Sequence, residues 1–206
     1  MYRARSAWAT VAAAASVLAF AALPARAGAL ADAAGRYLIL PSSVVDFTVA
    51  QIGGGGIVGR FPDFSGRFDI DAADLSKSEV EITLRPGSLV TAEPRITKFL
   101  KSSAVFDVAD YPVVRFRSFR VERTGADTAR IEGFLTARGK TLQESFDARL
   151  TRRSAGGIVF HVTGGIYREP YGMGVGVPIY SNVVRFDMTL DARRERRPLA
   201  ATAPWP

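Results

Sequence analysis

Residues 79–85 read Glu-Val-Glu-Ile-Thr-Leu-Arg, a strict alternation of polar and apolar side chains. Successive side chains of a β-strand point to opposite faces, so Val80, Ile82 and Leu84 would share one face and the polar residues the other. The stretch therefore predicts a strand with one buried and one solvated face, and it indicates an all-β fold.

The same alternation recurs along most of the chain. The clearest further strands are predicted around Phe68 and Ile70 and at residues 142–150, 158–163 and 184–191, with less regular ones at 44–50, 113–121 and 128–137. Glycine-containing turns at 124–127, 138–140 and 154–157 separate them. About eight strands at such short spacing predict either a closed meander or a sandwich.

Helix is predicted only in short segments. Residues 95–102 follow Pro94 and can form about two turns with Ile96, Phe99 and Leu100 pointing inward. Residues 71–77 can hold a single turn. The sequence therefore predicts one or two short helices attached to a sheet.

The N-terminal stretch has the three parts of a secretory signal peptide. Arg3 and Arg5 precede an uncharged apolar run at residues 7–23, and Ala25-Arg26-Ala27 supplies a signal-peptidase site. We predict a signal peptide at 1–27, cleavage near Ala27, and a periplasmic or secreted product; an uncleaved membrane anchor is the alternative. A linker at 28–35, a β domain at 36–191 and a disordered basic tail at 192–206 complete the predicted organisation.

The formal net charge of +7 is concentrated at the two ends of the chain. The signal peptide contains arginine and no acid, and Arg193, Arg194, Arg196 and Arg197 crowd the tail, which leaves the domain between them nearly neutral. A domain without a basic field does not predict nucleic acid as a partner. The tail is predicted to be solvated, with contact to a membrane surface or a membrane protein as the alternative.

Residues for catalysis or metal binding are scarce. The chain has no cysteine and one histidine, His161, which the strand pattern places on the solvated face. No serine lies in a G-x-S-x-G elbow, and no ligand spacing for zinc is present in the sequence. We therefore predict no catalytic residue, no metal and no cofactor, and a protein that is not an enzyme.

Two glycine-rich stretches remain. Residues 54–59 match G-x-G-x-x-G, but Arg60-Phe61-Pro62 follows instead of a helix, so a turn between strands is predicted and not a dinucleotide site. Residues 167–178 form a Gly- and Tyr-rich loop before the last strand. We predict this loop at the barrel mouth, where its side chains could contact a ligand, with a well-packed connection as the alternative. Its candidate residues are Tyr167, Arg168, Tyr171 and Met173.

An ordered set of short motifs resembles the YceI-like polyisoprenoid-binding family over almost the whole predicted domain. In chain order the motifs are Tyr37, Val45-Asp46-Phe47, Val58-Gly59-Arg60-Phe61, Phe64-Ser65-Gly66, Phe99-Leu100-Lys101-Ser102, Phe106-Asp107-Val108, Tyr111-Pro112, Phe116-Arg117-Ser118, Gly133-Phe134-Leu135-Thr136, Gly139-Lys140-Thr141, Arg168, Tyr171-Gly172-Met173 and Val183.

The resemblance implies an eight-stranded antiparallel lipocalin-like barrel, export to the bacterial periplasm, and a long isoprenoid chain held in the lumen. This chain departs from the family pattern where it has Ser42-Ser43, Gln51 and Ile96-Thr97. Each departure removes a polar or charged group near the expected position of a ligand head group.

Two functions of different classes follow. The first is a binding or carrier protein for a polyisoprenoid or isoprenoid-quinone-type lipid. The second is a filled barrel that carries nothing and docks on a membrane partner; a lipid-modifying enzyme using His161 is a third and weaker alternative. For the first function we predict an apolar lumen formed by Phe47, Val49, Phe68, Ile70, Val80, Ile82, Leu84, Phe116, Leu135, Phe146, Phe160, Phe186 and Met188.

Overall fold

The computed structural model describes residues 30–71 and 73–195. The predicted signal peptide at 1–27 and the predicted tail beyond residue 195 lie outside the described residues. Within the described residues, no helix is long and apolar enough to cross a membrane.

The described chain is built almost entirely from strands, as the alternation predicts. The strands and the single α-helix of this part are β1 (Gly35–Ile39), β2 (Val44–Gln51), β3 (Gly56–Arg60), β4 (Phe64–Ile70), β5 (Glu79–Leu84), β6 (Val90–Thr91), α1 (Pro94–Lys101), β7 (Val114–Arg123), β8 (Thr128–Ala137), β9 (Lys140–Arg153), β10 (Gly157–Tyr167) and β11 (Tyr180–Arg194). Short 3-10 turns lie at Ala31–Ala33, Leu75–Lys77, Pro86–Ser88 and Glu169–Tyr171.

Three pairs of short strands each act as one long, interrupted strand. β1 and β2 both pair with β11. On their other side, β1 pairs with β4 and β2 pairs with β3. In turn, β4 pairs with β5 and β3 pairs with β6. Together with β7 to β11 they make the eight antiparallel full-length strands of a barrel, which we call staves, and the pairing of β1 with β11 closes the ring. The predicted eight-stranded antiparallel barrel is confirmed.

A buried serine bridges the break between β1 and β2. Ser43 Oγ accepts a hydrogen bond from the Asp191 backbone N–H at 2.8 Å and donates one to the Asp191 carbonyl at 3.0 Å. The Leu40 backbone N–H donates to the same carbonyl at 2.7 Å. These bonds replace the missing strand pairs, so the wall stays closed across the break.

The alternating strand directions sort the connections to two ends of the barrel. The helix end carries α1, the β2–β3 turn at residues 52–55, the turn at 138–139 and the loop at 168–179. The opposite end, which we call the terminal end, carries the first and last described residues and the turns at 124–127 and 154–156. The glycine-rich loop therefore lies at the same end as the helix.

The barrel interior is packed with phenylalanine. Phe116 and Phe146 meet edge to face with ring centroids 5.2 Å apart, and Phe68 and Phe160 do so at 5.6 Å. Gly164 stands beside Phe146, and a Cβ atom at this glycine would lie 2.4 Å from the ring. The glycine therefore leaves the space that the Phe146 ring fills.

The ordered part extends beyond the predicted domain at both ends. Leu30 and Ala33 are buried although they fall in the predicted linker, and the Tyr37 hydroxyl donates to the Ala33 carbonyl at 2.9 Å. β11 continues to Arg194, whereas the sequence predicts the tail to begin at 192. β10 and β1 both offer backbone partners to these last residues, so strand pairing continues after the apolar alternation has ended.

Candidate functional site

The barrel encloses a cavity of about 280 Å³ that extends along its axis. Leu30 and Leu75 line it at the terminal end, and Phe99 and Val175 line it at the helix end. Phenylalanine rings line the middle, and polar side chains are rare on the wall. Phe99 and Val175 are also 41% and 50% exposed, so the cavity reaches solvent at the helix end.

The structure places all of the predicted lumen residues on the wall of this cavity. Eleven of them are buried, and Ile82 and Phe186 are partly exposed. Alternation locates them correctly because every strand of a closed barrel turns one face to the axis. Their contact with a ligand stays a prediction. The residues concerned are Phe47, Val49, Phe68, Ile70, Val80, Ile82, Leu84, Phe116, Leu135, Phe146, Phe160, Phe186 and Met188.

Several wall residues lie outside the strands. Ile96, Phe99 and Leu100 of α1 line the cavity, and helical spacing predicts them as an inward face. Val105 and Phe106 follow the helix in an irregular segment and also line it. Phe106 packs edge to face on Phe61 at 5.7 Å. Periodicity could not predict that Val105 and Phe106 line the cavity, because their segment has no regular repeat.

The four candidate residues of the glycine-rich loop have different positions. Arg168 and Met173 are buried and line the cavity. Tyr167 is 61% exposed and Tyr171 is fully buried, and neither lines the cavity. Only two of the four therefore stand where a ligand in the cavity could touch them.

Arg168 fastens this loop to the end of the barrel. Its Nε donates to the Ser181 carbonyl at 2.8 Å, and its Nη2 donates to the Tyr180 carbonyl at 3.1 Å. Its Nη1 donates to the carbonyls of Met173 and, at 2.9 Å, Val175. One guanidinium thus holds four main-chain carbonyls on the two sides of the loop.

The charge of Arg168 is solvated by these carbonyls and not by an acid. The residue is 6% exposed, and within the described residues no carboxylate forms an ion pair with it. Burial lowers the pKa of the Arg168 guanidinium, and the charge of Glu169 partly opposes this effect. Buried charges of this kind depend on complete hydrogen bonding, which makes the loop geometry and the arginine interdependent.

Tyr171 joins the same loop to the barrel wall. Its hydroxyl donates to Glu144 Oε1 on β9 at 2.9 Å. Burial raises the pKa of the Tyr171 hydroxyl, and the neighbouring Glu144 raises it further. Burial also raises the pKa of the Glu144 carboxyl, which the hydrogen bond from Tyr171 partly counteracts.

We expect Glu144→Gln to stabilise the protein, relative to the parent, more at neutral pH than at acid pH. Because the pKa of Glu144 is raised in the folded state, the protonated carboxyl favours folding. This contribution to the unfolding free energy is fully present below the ordinary pKa of 4.5 and is lost as the pH rises through the raised value. Glutamine carries no charge, and its amide oxygen can still accept from Tyr171. The difference in unfolding free energy between Glu144→Gln and the parent should grow from acid to neutral pH, as measured by urea titration at each pH.

A matched variant separates charge from hydrogen bonding in this pair. Glu144→Ala removes the acceptor of the buried Tyr171 hydroxyl and should cost about 1–3 kcal/mol at neutral pH. If Glu144→Gln loses as much stability as Glu144→Ala at neutral pH, the partly buried charge of Glu144 is not unfavourable and the expected pH dependence is wrong.

His161 and the glycine-rich stretch at 54–59, which the sequence singles out for other chemistries, lie on the outer wall and in the β2–β3 turn and β3. His161 lies on the outer wall with its Nε2 atom 3.0 Å from Asp187 Oδ1, outside the cavity. In residues 30–71 and 73–195, no group of three or more His, Asp or Glu side chains could hold a metal ion. Gly54 and Gly55 lie in the β2–β3 turn with positive φ angles and β3 begins at Gly56, so the G-x-G-x-x-G match is a turn followed by a strand and opens no helix.

The residues that depart from the family pattern have partners or face solvent. Ser43 is engaged with Asp191 across the strand break, and Gln51 is exposed at the helix end. Thr97 Oγ1 accepts from the Thr91 backbone N–H at 3.0 Å. Of these positions only Ile96 lines the cavity, and its side chain is apolar, so the departures leave the cavity wall apolar.

Closed topology and an apolar cavity define the chain as a closed antiparallel β-barrel with an apolar lumen. The family model described as "YceI-like domain" matches residues 38–193, and the chain belongs to this family. The match covers nearly the whole described barrel.

Known proteins resemble this chain in sequence and in fold. A UPF0312 protein of Ectopseudomonas mendocina is 35% identical over 97 residues, which are 47% of this chain and 51% of the relative. The chain thus spans about half the length of the first curated relatives it matches.

Two solved structures share the fold. Burkholderia cenocepacia BcnA superposes with a TM-score of 0.69 at 20% identity and covers 74% of this chain and 98% of its own. A polyisoprenoid binding domain from Saccharophagus degradans, implicated in plant cell wall breakdown, superposes with a TM-score of 0.60 at 17% identity and covers 79% and 99%. At these identities the likeness shows the fold alone.

Proposed function

We propose that this protein binds a polyisoprenoid or isoprenoid-quinone-type lipid in its barrel lumen and carries it in the periplasm. The observation that carries the proposal is the cavity of about 280 Å³, whose wall is almost wholly apolar and which opens at the helix end. The Saccharophagus degradans neighbour, described as a polyisoprenoid binding domain, supports the ligand class.

The wall chemistry suits a hydrocarbon chain. Burying apolar ligand surface is worth roughly 25 cal/mol per Å² and requires no polar partner. In the described residues, no buried side-chain nitrogen or oxygen lacks a hydrogen-bond partner, and polar side chains are rare on the wall. The head group of a bound lipid is therefore expected at the helix end, where the cavity meets water.

The cavity volume limits how much of a chain lies inside. An apolar cavity of roughly 150 Å³ accommodates benzene. By this comparison, the lumen has room for roughly a dozen carbon atoms, equivalent to a short prenyl segment. The remainder of a long chain would pass through the helix end or displace wall side chains.

We also propose where the protein acts and that it is a binding protein. The predicted signal peptide at 1–27 supports a periplasmic or secreted protein, released by cleavage near Ala27. We propose a binding protein and not an enzyme, with the lipid as its only bound group. The cavity favours this function over a filled barrel that only docks on a membrane partner.

Lipid analysis tests this function. The protein should be purified from its native host without detergent, extracted with organic solvent and analysed by mass spectrometry. We expect an isoprenoid lipid in near-stoichiometric amount, and binding of added farnesol by protein that has been delipidated. Repeated preparations that carry no lipid and bind no prenol would contradict the proposal.

A further inference from the structure

The rim of the cavity at the helix end exposes apolar side chains. Phe99 and Val175 line the opening and are 41% and 50% exposed. Ile52 and Ile179 are 72% and 59% exposed, and the Ile52 backbone N–H donates to the Ile179 carbonyl at 2.9 Å. These four residues, which we call the apolar rim, lie at the helix end, where Phe99 and Val175 line the cavity opening.

Hydrogen bonds hold the parts of this rim together. Arg138 Nη1 donates to the Gly172 carbonyl at 2.7 Å, and its Nη2 donates to the Ser103 carbonyl at 3.1 Å. One side chain therefore ties the segment after α1 to the glycine-rich loop. The rim is a single surface and not a set of unrelated loops.

The helix adds positive charge to this surface. α1 carries Arg95, Lys98 and Lys101 and contains no acidic residue, although Glu93 directly precedes it. None of the three cations forms an ion pair within the described residues. Several outer-wall arginines do pair with acids, as Arg60 does with Asp46 at 2.6 Å.

We propose that the apolar rim and the three α1 cations form a docking surface for an anionic lipid bilayer. Exposed apolar side chains next to basic residues insert at a bilayer interface, while the cations attract anionic head groups. Docking places the cavity opening against the membrane, so a prenyl chain can pass between bilayer and lumen without crossing water. This inference rests on the proposed lipid-binding function.

The choice of a bilayer over a protein partner rests on charge and position. The cations lack acidic partners in the described residues, and Phe99 and Val175 of the apolar rim border a cavity opening whose proposed ligand resides in membranes. A protein partner would not require the apolar residues to border the opening. Binding to a protein in place of lipid is an outcome that the following experiment can reveal.

Charge reversal on α1 tests the electrostatic part. The protein as recovered from its host is mixed with vesicles of phosphatidylcholine alone or of equal parts phosphatidylcholine and phosphatidylglycerol, and the bound fraction is measured by flotation. Arg95→Glu with Lys98→Glu should weaken binding to the anionic vesicles by about tenfold or more. Arg123→Glu with Arg152→Glu changes the charge equally at the terminal end and should have a much smaller effect.

Removal of apolar surface tests the other part. Ile52→Ser with Ile179→Ser should reduce binding to both kinds of vesicle. Phe119→Ser with Phe134→Ser is the control, because these rings are 46% and 50% exposed on the outer wall. Equal losses in rim and control variants, or no vesicle binding by the parent protein, would overturn the docking surface; so would binding that disappears only when residues 196–206 are deleted.

A separate measurement keeps this inference distinct from lipid binding itself. Rim variants should bind detergent-dispersed farnesol as the parent does, because the lumen is unchanged. Loss of vesicle binding with normal farnesol binding supports the docking surface. Normal farnesol binding by a parent that ignores vesicles contradicts docking alone, whereas absence of farnesol binding contradicts the proposed function.

Discussion

Ala148→Phe is expected to weaken isoprenoid binding about a hundredfold while the barrel stays folded. Ala148 lies on β9 between Ala129 and Val162 in the register, is buried, and lines the cavity. A phenyl ring here would occupy much of the lumen. If it excludes about 100 Å² of ligand surface, the loss is about 2.5 kcal/mol at ~25 cal/mol per Å², close to a hundredfold in the dissociation constant.

The control for this variant is Ser145→Phe on the same strand. Ser145 is exposed on the outer wall, so its phenyl ring does not enter the lumen. Farnesol titration gives the affinities, and circular dichroism with thermal unfolding shows whether each variant folds. Filling a well-packed core costs about 1–3 kcal/mol, which a barrel of this size should survive. Unchanged farnesol affinity in folded Ala148→Phe would contradict a ligand site in the lumen.

Arg168→Ala is expected to produce the largest loss of stability among single substitutions at the helix end. It deprives four main-chain carbonyls of their donor and leaves a hole beside the cavity. Hydrogen bonds from charged donors contribute about 1.5–3 kcal/mol each but do not add fully, so we expect a total cost of about 3–5 kcal/mol. Denaturant unfolding measures this cost directly.

Two further replacements identify the origin of the Arg168 effect. Arg168→Met keeps most of the volume without any donor, and Arg168→Lys keeps the charge but cannot reach four carbonyls in this geometry. The lysine variant should be intermediate, and the methionine variant should resemble alanine. Parent-like stability in Arg168→Met would show that the four Arg168 hydrogen bonds contribute no net stability, and would contradict the role of Arg168 in holding the loop.

Much of the barrel follows from the sequence because alternation is a direct record of strand geometry. Val80, Ile82 and Leu84 alternate with polar residues, and the structure places all three on the cavity wall. The breaks at 40–43, 61–63 and 85–89 interrupt three staves. Alternation alone does not reveal that the two halves of each stave share a neighbour, because that depends on pairing with distant strands.

The open lumen could not be predicted from periodicity. Whether inward side chains fill a barrel depends on which large and small residues meet across it, and this depends on the register of all the strands. Ala129 and Ala148 pair directly on β8 and β9, and Gly164 lies opposite Phe146. The sequence contains these small residues but does not show that they are neighbours.

The role of Arg168 in holding the loop could not be predicted from the sequence either. The residue could be selected from its Gly- and Tyr-rich loop, but its partners are backbone carbonyls of Met173, Val175, Tyr180 and Ser181. Main-chain acceptors leave no trace in side-chain patterns. Tyr167 and Tyr171 were equally plausible from the sequence and lie away from the cavity.

A crystal structure of the protein with bound farnesol would show directly whether the lumen holds a prenyl chain. We expect a continuous chain of density among Phe68, Phe146 and Phe160, with the hydroxyl group at the helix end near Phe99 and Val175. Density for farnesol only on the outer wall, with Phe68, Phe146 and Phe160 collapsed into a filled core, would contradict a ligand site in the lumen.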